Sequence, residues 1–342
     1  MNRGRRRVAV VALALAPVLG APALAGAAPT TTTRPTSTTT TTTTTAPATS
    51  PVLAVDDPDS FFQTLFAAGG LAGAPYTVQW VTGTGGPADL SAVADGQADL
   101  TYTDGAGLAF AEAGHLPVVA VAGQQLAATP GHDVAALVVP AHSTVRSLAD
   151  LKGRAVAVTP GTDSQAFGLL ALHAAKVGHV SLVDLEPDAA VTALDQGAVD
   201  AAVLTQPYLA EAQAAGNVRV LTGQRQDTGL LVASRQALAD PTVSASVVDF
   251  ARRTASAEAA LAASGSAAAT FASRSGLSAA TAARAASSVR VSGLRLTTAQ
   301  VQAEQQLADA LVAAGALHRR LHAAAGFDLP LNRVIAPPTR HR

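Results

Sequence analysis

PADLSAVADGQADLTYTDG (residues 87–105) and DAAVTALDQGAVDAAVLTQ (residues 188–206) are two copies of one unit: a helix, a Gly-x-x-Asp turn and a strand that ends polar. Gly96 falls on Gly197 and Asp99 on Asp200, each at an offset of 101 residues. Glycine suits the end of such a helix because, lacking a Cβ, it takes a positive φ cheaply. The apolar strand that follows carries the chain to the edge of a sheet. Two equivalent α/β units about a hundred residues apart predict two similar lobes facing each other across a cleft, which is a place to hold a ligand.

The 342 residues are enough for about two domains of ~100–200 residues each. Half the chain is apolar (49%) but only 4% is aromatic, so the cores must be built from Ala, Val and Leu. Lys152 and Lys176 are the only lysines, and a net charge of −1 gives no case for nucleic-acid binding. Residues 1–28 read as a secretory signal peptide: Arg3, Arg5, Arg6 and Arg7, then the short apolar run Val8 to Leu19, then Ala23-Leu24-Ala25 as a small-x-small cleavage site. The chain has no cysteine, which excludes disulfides and a lipid-modified cysteine. Residues 29–51 hold a Thr/Pro tract that can bury little and predicts a disordered tether. The expected location is therefore exported and extracytoplasmic, and not that of a lipoprotein.

Beyond the tether, short β-like runs alternate with helical ones, the α/β pattern. Strands are expected at 52–55, 77–81, 100–103, 118–121, 135–139, 155–158, 181–185, 201–204, 219–221 and 230–233. From Asp240 onward the chain reads as helical, with helices at 242–263, 267–273, 278–288 and 297–314, and this tail is expected to return to the first lobe. The division predicted is residues 52–139 with 234–335 as lobe 1 and residues 140–233 as lobe 2, joined by two crossovers that form a hinge.

Five segments, in order, resemble the ABC-transporter solute-binding proteins for aliphatic sulfonates, nitrate and taurine. They are VTGTGGPADLSAVADGQADLTYTDGA (81–106), LADLKGRAVAVTPGTDSQ (148–165), VDAAVLTQPYLAEAQAAGNVRVL (199–221), LVASRQAL (231–238) and TTAQVQAEQQLADALVAAGAL (297–317). The resemblance implies a type II periplasmic-binding-protein fold: two α/β lobes, each a mixed sheet flanked by helices, with two hinge crossovers and a ligand trapped by closure. It further implies a monomer without cofactor or metal that hands a small-molecule solute to an ABC transporter permease. The chain departs from the family pattern at its opening segment near Asp56, at Ser91 in the helix after Gly-Pro, and at Thr205-Gln206 before Pro207-Tyr208.

In open α/β sheets, ligands bind beyond the carboxyl ends of the strands. Those ends supply the candidate ligand-binding residues Asp56, Thr84, Gly85, Thr103, Asp104, Gly105, Gly161, Thr162, Ser164, Gln206 and Tyr208. Glycine amides, hydroxyls and the N-termini of helices at Pro87 and Asp163 suit an anion such as a sulfonate or nitrate. The same residue types are also ordinary helix caps. Against an anion, residues 35–145 contain no Lys or Arg but nine acids, so Asp56 and Asp104 could instead pair with an amine. There is no cysteine nucleophile, Gly-x-Ser-x-Gly elbow or P-loop, and His318 and His322 flank Arg319 where a zincin helix needs Glu. No catalytic residue is expected. The alternative to a transport role is an envelope ligand-sensing or scaffolding protein with a repurposed cleft.

Overall fold

The computed structural model describes residues 50–67, 69–83, 85–264 and 278–335. The expected helix at 267–273, the signal peptide and most of the Thr/Pro tract lie outside them. Eleven strands occur among the described residues: β1 (Val52–Asp56), β2 (Thr77–Val81), β3 (Leu100–Asp104), β4 (Val118–Ala128), β5 (Ala135–Pro140), β6 (Ala155–Val158), β7 (Ser181–Asp184), β8 (Ala201–Thr205), β9 (Val218–Gln224), β10 (Gln226–Ser234) and β11 (Val289–Leu294). They form two mixed sheets, ordered β11-β4-β10-β3-β1-β2 and β7-β6-β8-β5-β9.

The sheets share one plan. Three parallel strands, β2-β1-β3 in one and β7-β6-β8 in the other, are followed by antiparallel neighbours. The repeated turns explain the match. Asp99 exchanges bonds with Ala54 of β1, accepting its N–H at 2.8 Å and donating to its carbonyl at 2.7 Å. Asp200 does the same with Ala155 of β6 at 3.0 and 2.9 Å, and Ala155 again lies 101 residues beyond Ala54. Gly96 and Gly197 take φ of +73° and +67°, as the turn requires.

Sheet membership shifts the two crossovers from where the sequence placed them. β5 belongs to the second sheet and β10 to the first, so the chain passes between sheets at residues 129–134 and at Arg225. The tail is not wholly helical. β11 pairs antiparallel with β4, its VRVSGL alternation having the period of a strand. A helix also follows β3 at once, α3 (Gly105–Ala113), despite two glycines in its first turn.

Each sheet buries both faces. Leu53, Val55, Leu100 and Leu231 of the first meet Phe62, Phe66 and Phe250, the last from the long helix Pro241–Ser264, while Leu230 and Val232 meet the opposite layer with Leu90 and Val93. The second sheet packs Ala136, Val138 and Leu204 on one side and Leu137, Val156 and Val203 on the other. Between the layers, Ala106 and Ala109 of α3, Ala166 of α4 (Asp163–Ala174), and Ala308 and Leu311 of the helix Thr298–Ala313 form an alanine-rich seam. Alanine there lets the helices approach closely. Among the described residues no helix is long and apolar enough to cross a membrane.

Candidate functional site

The two sheets meet where their strands end, and Asp104 is one point of contact. It closes β3 and caps α3, its carboxylate accepting the Gly107 N–H at 2.6 Å. The other carboxylate oxygen accepts the Asp163 N–H, at 2.9 Å, from the first turn of α4 on the second sheet. One side chain thus serves the N-termini of two helices, each carrying partial positive charge. Nearby, the loop before α2 (Pro87–Ala94) presses on the loop before α4: a Cβ at Gly161 would fall on the Pro87 ring, and one at Gly86 would touch Thr162. Gly161 also sits at φ +67°. Gly161→Ala is expected to push these loops apart, raising the radius of gyration in small-angle scattering with an unchanged far-UV spectrum. An unchanged scattering profile would place the strain elsewhere.

Around Asp104 the charge is of one sign. Asp163 is 7% exposed, and burial together with Asp104 raises its pKa to about 7. Burial, then Asp163 and Asp104, push Asp227 of β10 well above the usual carboxylate range. Burial lifts Glu304, on the helix Thr298–Ala313, to about 7, and lifts Asp104 against the pull of its two N–H donors. Gln224 donates to the Asp163 carboxylate at 2.7 Å. Gln300 reaches both Glu304 and Thr228, linking the tail helix to β10.

Strand register sets what shares this face. Asp104 pairs with Gly229, and Gly229 with Gln124 of β4, so Tyr102, Asp104, Asp227 and Gln124 project to one side of the first sheet. A Cβ at Gly229 would overlap the Tyr102 hydroxyl, so the phenol lies flat over the strand. Phe61 stacks on Tyr102 with ring centroids 5.3 Å apart and 31° between planes. The Gln124 amide lies close to the Tyr102 hydroxyl, Asp227 and Glu258 act on it only through their charge, and burial, the largest cause, holds the phenol protonated. Gln124 is 6% exposed and its Oε1 has no hydrogen-bond partner among the described residues. Burial alone lifts Glu258 to about 7.

The residues expected from sequence divide between this site and its scaffold. Asp104 and Thr162 sit at the junction, both as caps; the Thr162 hydroxyl donates to the Thr159 carbonyl and accepts the Ser164 N–H. Thr103 packs beside Gly107, and Gly105 lies under the Glu304 carboxylate. The Gly85 N–H is taken by Asp89 and the Gly161 N–H by Gln165, so neither is free for an anion. Thr84 lies outside the described residues. Ser164 is turned inward, donating to the Val203 carbonyl, and 3% exposed. Asp56, 1% exposed, accepts from Thr101 and shares a proton-binding pair with Asp89; burial raises its pKa to about 6. It braces the loop after β2 rather than opening to the junction. Gln206 donates to the Asp133 carbonyl beside a cis Gln206–Pro207 bond, and Tyr208 opens α6 (Tyr208–Ala214), both on the second sheet's side. The expected set lacks Asp163, Asp227, Glu304, Glu258 and Gln124. Asp163 opens α4, a helix start already singled out, whereas Asp227 lies in the part of β10 that precedes the expected strand and the others come from helix faces and a longer β4.

Two mixed sheets joined by two crossovers, with the site where the strands end, define the periplasmic-binding-protein fold. Residues 76–269, more than half the chain, match the NMT1/THI5-like family, and the chain belongs to that family. It is 34% identical over 146 residues to an Escherichia coli (strain K12) protein named as an aliphatic sulfonates-binding protein, a match covering 42% of this chain and 44% of that one. The alkanesulfonate-binding protein SsuA of Xanthomonas axonopodis pv. citri, bound to MOPS, superimposes with a TM-score of 0.69 at 23% identity, covering 82% of this chain and 99% of that one. The periplasmic aliphatic sulphonate binding protein SsuA of E. coli gives 0.64 at 24% identity, over 80% and 91% of the chains. The fold is not confined to binding proteins: the desulfurization enzyme DSZB superimposes with a TM-score of 0.62 at 15% identity, over 85% of this chain and all of that one (100%).

Proposed function

We propose that this protein is the exported solute-binding component of an ABC importer, and that it captures a small polar solute by closure of two lobes without transforming it. One lobe is built on each sheet, with the hinge at the crossovers 129–134 and 225. The leader delivers the protein outside the cytoplasm, the Thr/Pro tract holds it clear of the surface, and a permease receives the solute. The observation that carries this reading is the bond from the Asp163 N–H to Asp104, which joins helices on the two sheets where their strands end. The matched relatives, named as binding proteins, support it.

The test is a thermal-shift panel on the mature chain containing alkanesulfonates, taurine, nitrate, primary amines, amidines and pyrimidines, followed by small-angle scattering with each solute that binds. A solute that binds only the folded state raises the melting temperature, by an equivalent of about 2.7 kcal/mol at a hundred times its Kd. The expected result is one chemical class that stabilises and compacts the protein. Consumption of the stabilising solute would replace capture by catalysis, and stabilisation without compaction would remove the closure mechanism.

A further inference from the structure

We propose that the solute is an organic cation, bearing a protonated ammonium or amidinium group that Asp104, Asp163 and Asp227 receive over the Tyr102 ring. This rests on the solute-capture reading above and gives it a charge.

Several of the places an anion would use already have an acceptor. An anion would go to a helix N-terminus, but one first-turn amide of α3 and one of α4 are directed at Asp104, and the Ser164 amide at Thr162. The glycine amides at 85 and 161 are committed to Asp89 and Gln165. The ion pairs among the described residues are Arg154–Asp200 and Arg253–Asp249, so no Lys or Arg is paired with Asp104, Asp163, Asp227, Glu258 or Glu304 there. A sulfonate placed here would meet carboxylates without a balancing positive charge.

A second feature points to a donor-rich guest. Gln124 shares the sheet face of Tyr102, Asp104 and Asp227, is almost wholly buried, and leaves its Oε1 acceptor unmatched. A buried unpaired acceptor is costly, and an N–H donor from a guest relieves the cost. The Tyr102 and Phe61 rings, 5.3 Å apart, add an electron-rich wall of the kind that attracts cations. A metal ion fits less well, because the described residues contain no group of three or more His, Cys, Asp or Glu side chains placed to hold one.

The experiment is calorimetric titration of the mature protein at pH 7.5 with benzylamine, benzamidine, butanesulfonate, taurine and magnesium chloride, each alone. At least one of the two organic cations is expected to bind, and butanesulfonate is not. Asp227→Asn and Gln124→Leu should each weaken that binding by about tenfold or more. Asp195→Asn, at an exposed residue of α5 (Pro187–Asp195) on the second sheet, should leave it unchanged. Asp227→Asn removes charge from a repulsive cluster, so its melting temperature should hold or rise and a folding defect would not mimic the result. Binding of butanesulfonate or taurine without either cation overturns the charge assignment and leaves solute capture standing. Binding of magnesium alone overturns the organic cation. Binding of neither sign, with no response in the wider panel, overturns the capture reading itself.

Discussion

Acidifying the solute-free protein from about pH 7.5 to about pH 5 is expected to stabilise it, opposite to the usual course of acid titration. Asp163, Glu304, Glu258 and Glu112 are each raised to about 7 and Asp56 to about 6, burial being the first cause in every case. Between its unfolded and folded pKa values, a carboxyl group of this kind binds a proton in the folded chain and not in the unfolded one. Stability therefore falls as pH rises through that window, from about 4 to about 7, and is level above it. Asp200 is shifted the other way by the Ala155 N–H and Arg154, and its contribution is lost only as pH falls below about 4. At ~1.4 kcal/mol per pKa unit, two of the buried groups raised to about 7, Asp163 and Glu304, contribute at least about 3 kcal/mol. That corresponds to roughly 5 °C in melting temperature for a chain of this size. Differential scanning calorimetry across the range tests it; a flat or falling melting temperature would mean that the carboxylates stay ionised and solvated in the folded state.

Phe250→Ala is expected to cost about 3–5 kcal/mol, the usual range for emptying an aromatic site in a core. Phe250 is fully buried (0% exposed) and meets Phe62 and Phe66 edge-on at 5.2 Å and Trp80 at 6.5 Å. In a chain only 4% aromatic, this cluster fastens the long helix Pro241–Ser264 to the first sheet. Glu258 lies two turns further along that helix, so loosening it also shifts the charge beside Tyr102. Urea unfolding should show the loss, with Phe250→Leu recovering most of it. A cost under about 1 kcal/mol would mean that the helix is held elsewhere.

What could be read from the sequence was local. The paired Gly-x-x-Asp turns, the strands after them, and the caps Asp104 and Thr162 follow from turn chemistry within a few residues. The boundaries of β4 and β10 did not. Both strands run on through polar residues, Gly123-Gln124-Gln125 and Gln226-Asp227-Thr228, of which Gln124 and Asp227 share the face of Asp104, and these break the apolar pattern. Sheet membership of β5 and β10 escaped because apolar periodicity says that a strand is buried and not which partner it pairs with. Glu258 and Glu304 sit singly in alanine-rich helices, where spacing leaves open which neighbour a carboxylate will face. Ser164 looked like a donor at a helix start, but at the second position of α4 its hydroxyl turns back to the carbonyl of β8.

The Asp104 carboxylate has an entropic consequence. Its two oxygens hold one amide of α3 and one of α4, so its position is fixed before any guest arrives. Under the cation proposal a guest would add to these bonds instead of competing for them. The acceptor would already be ordered, and little side-chain freedom would be lost at binding.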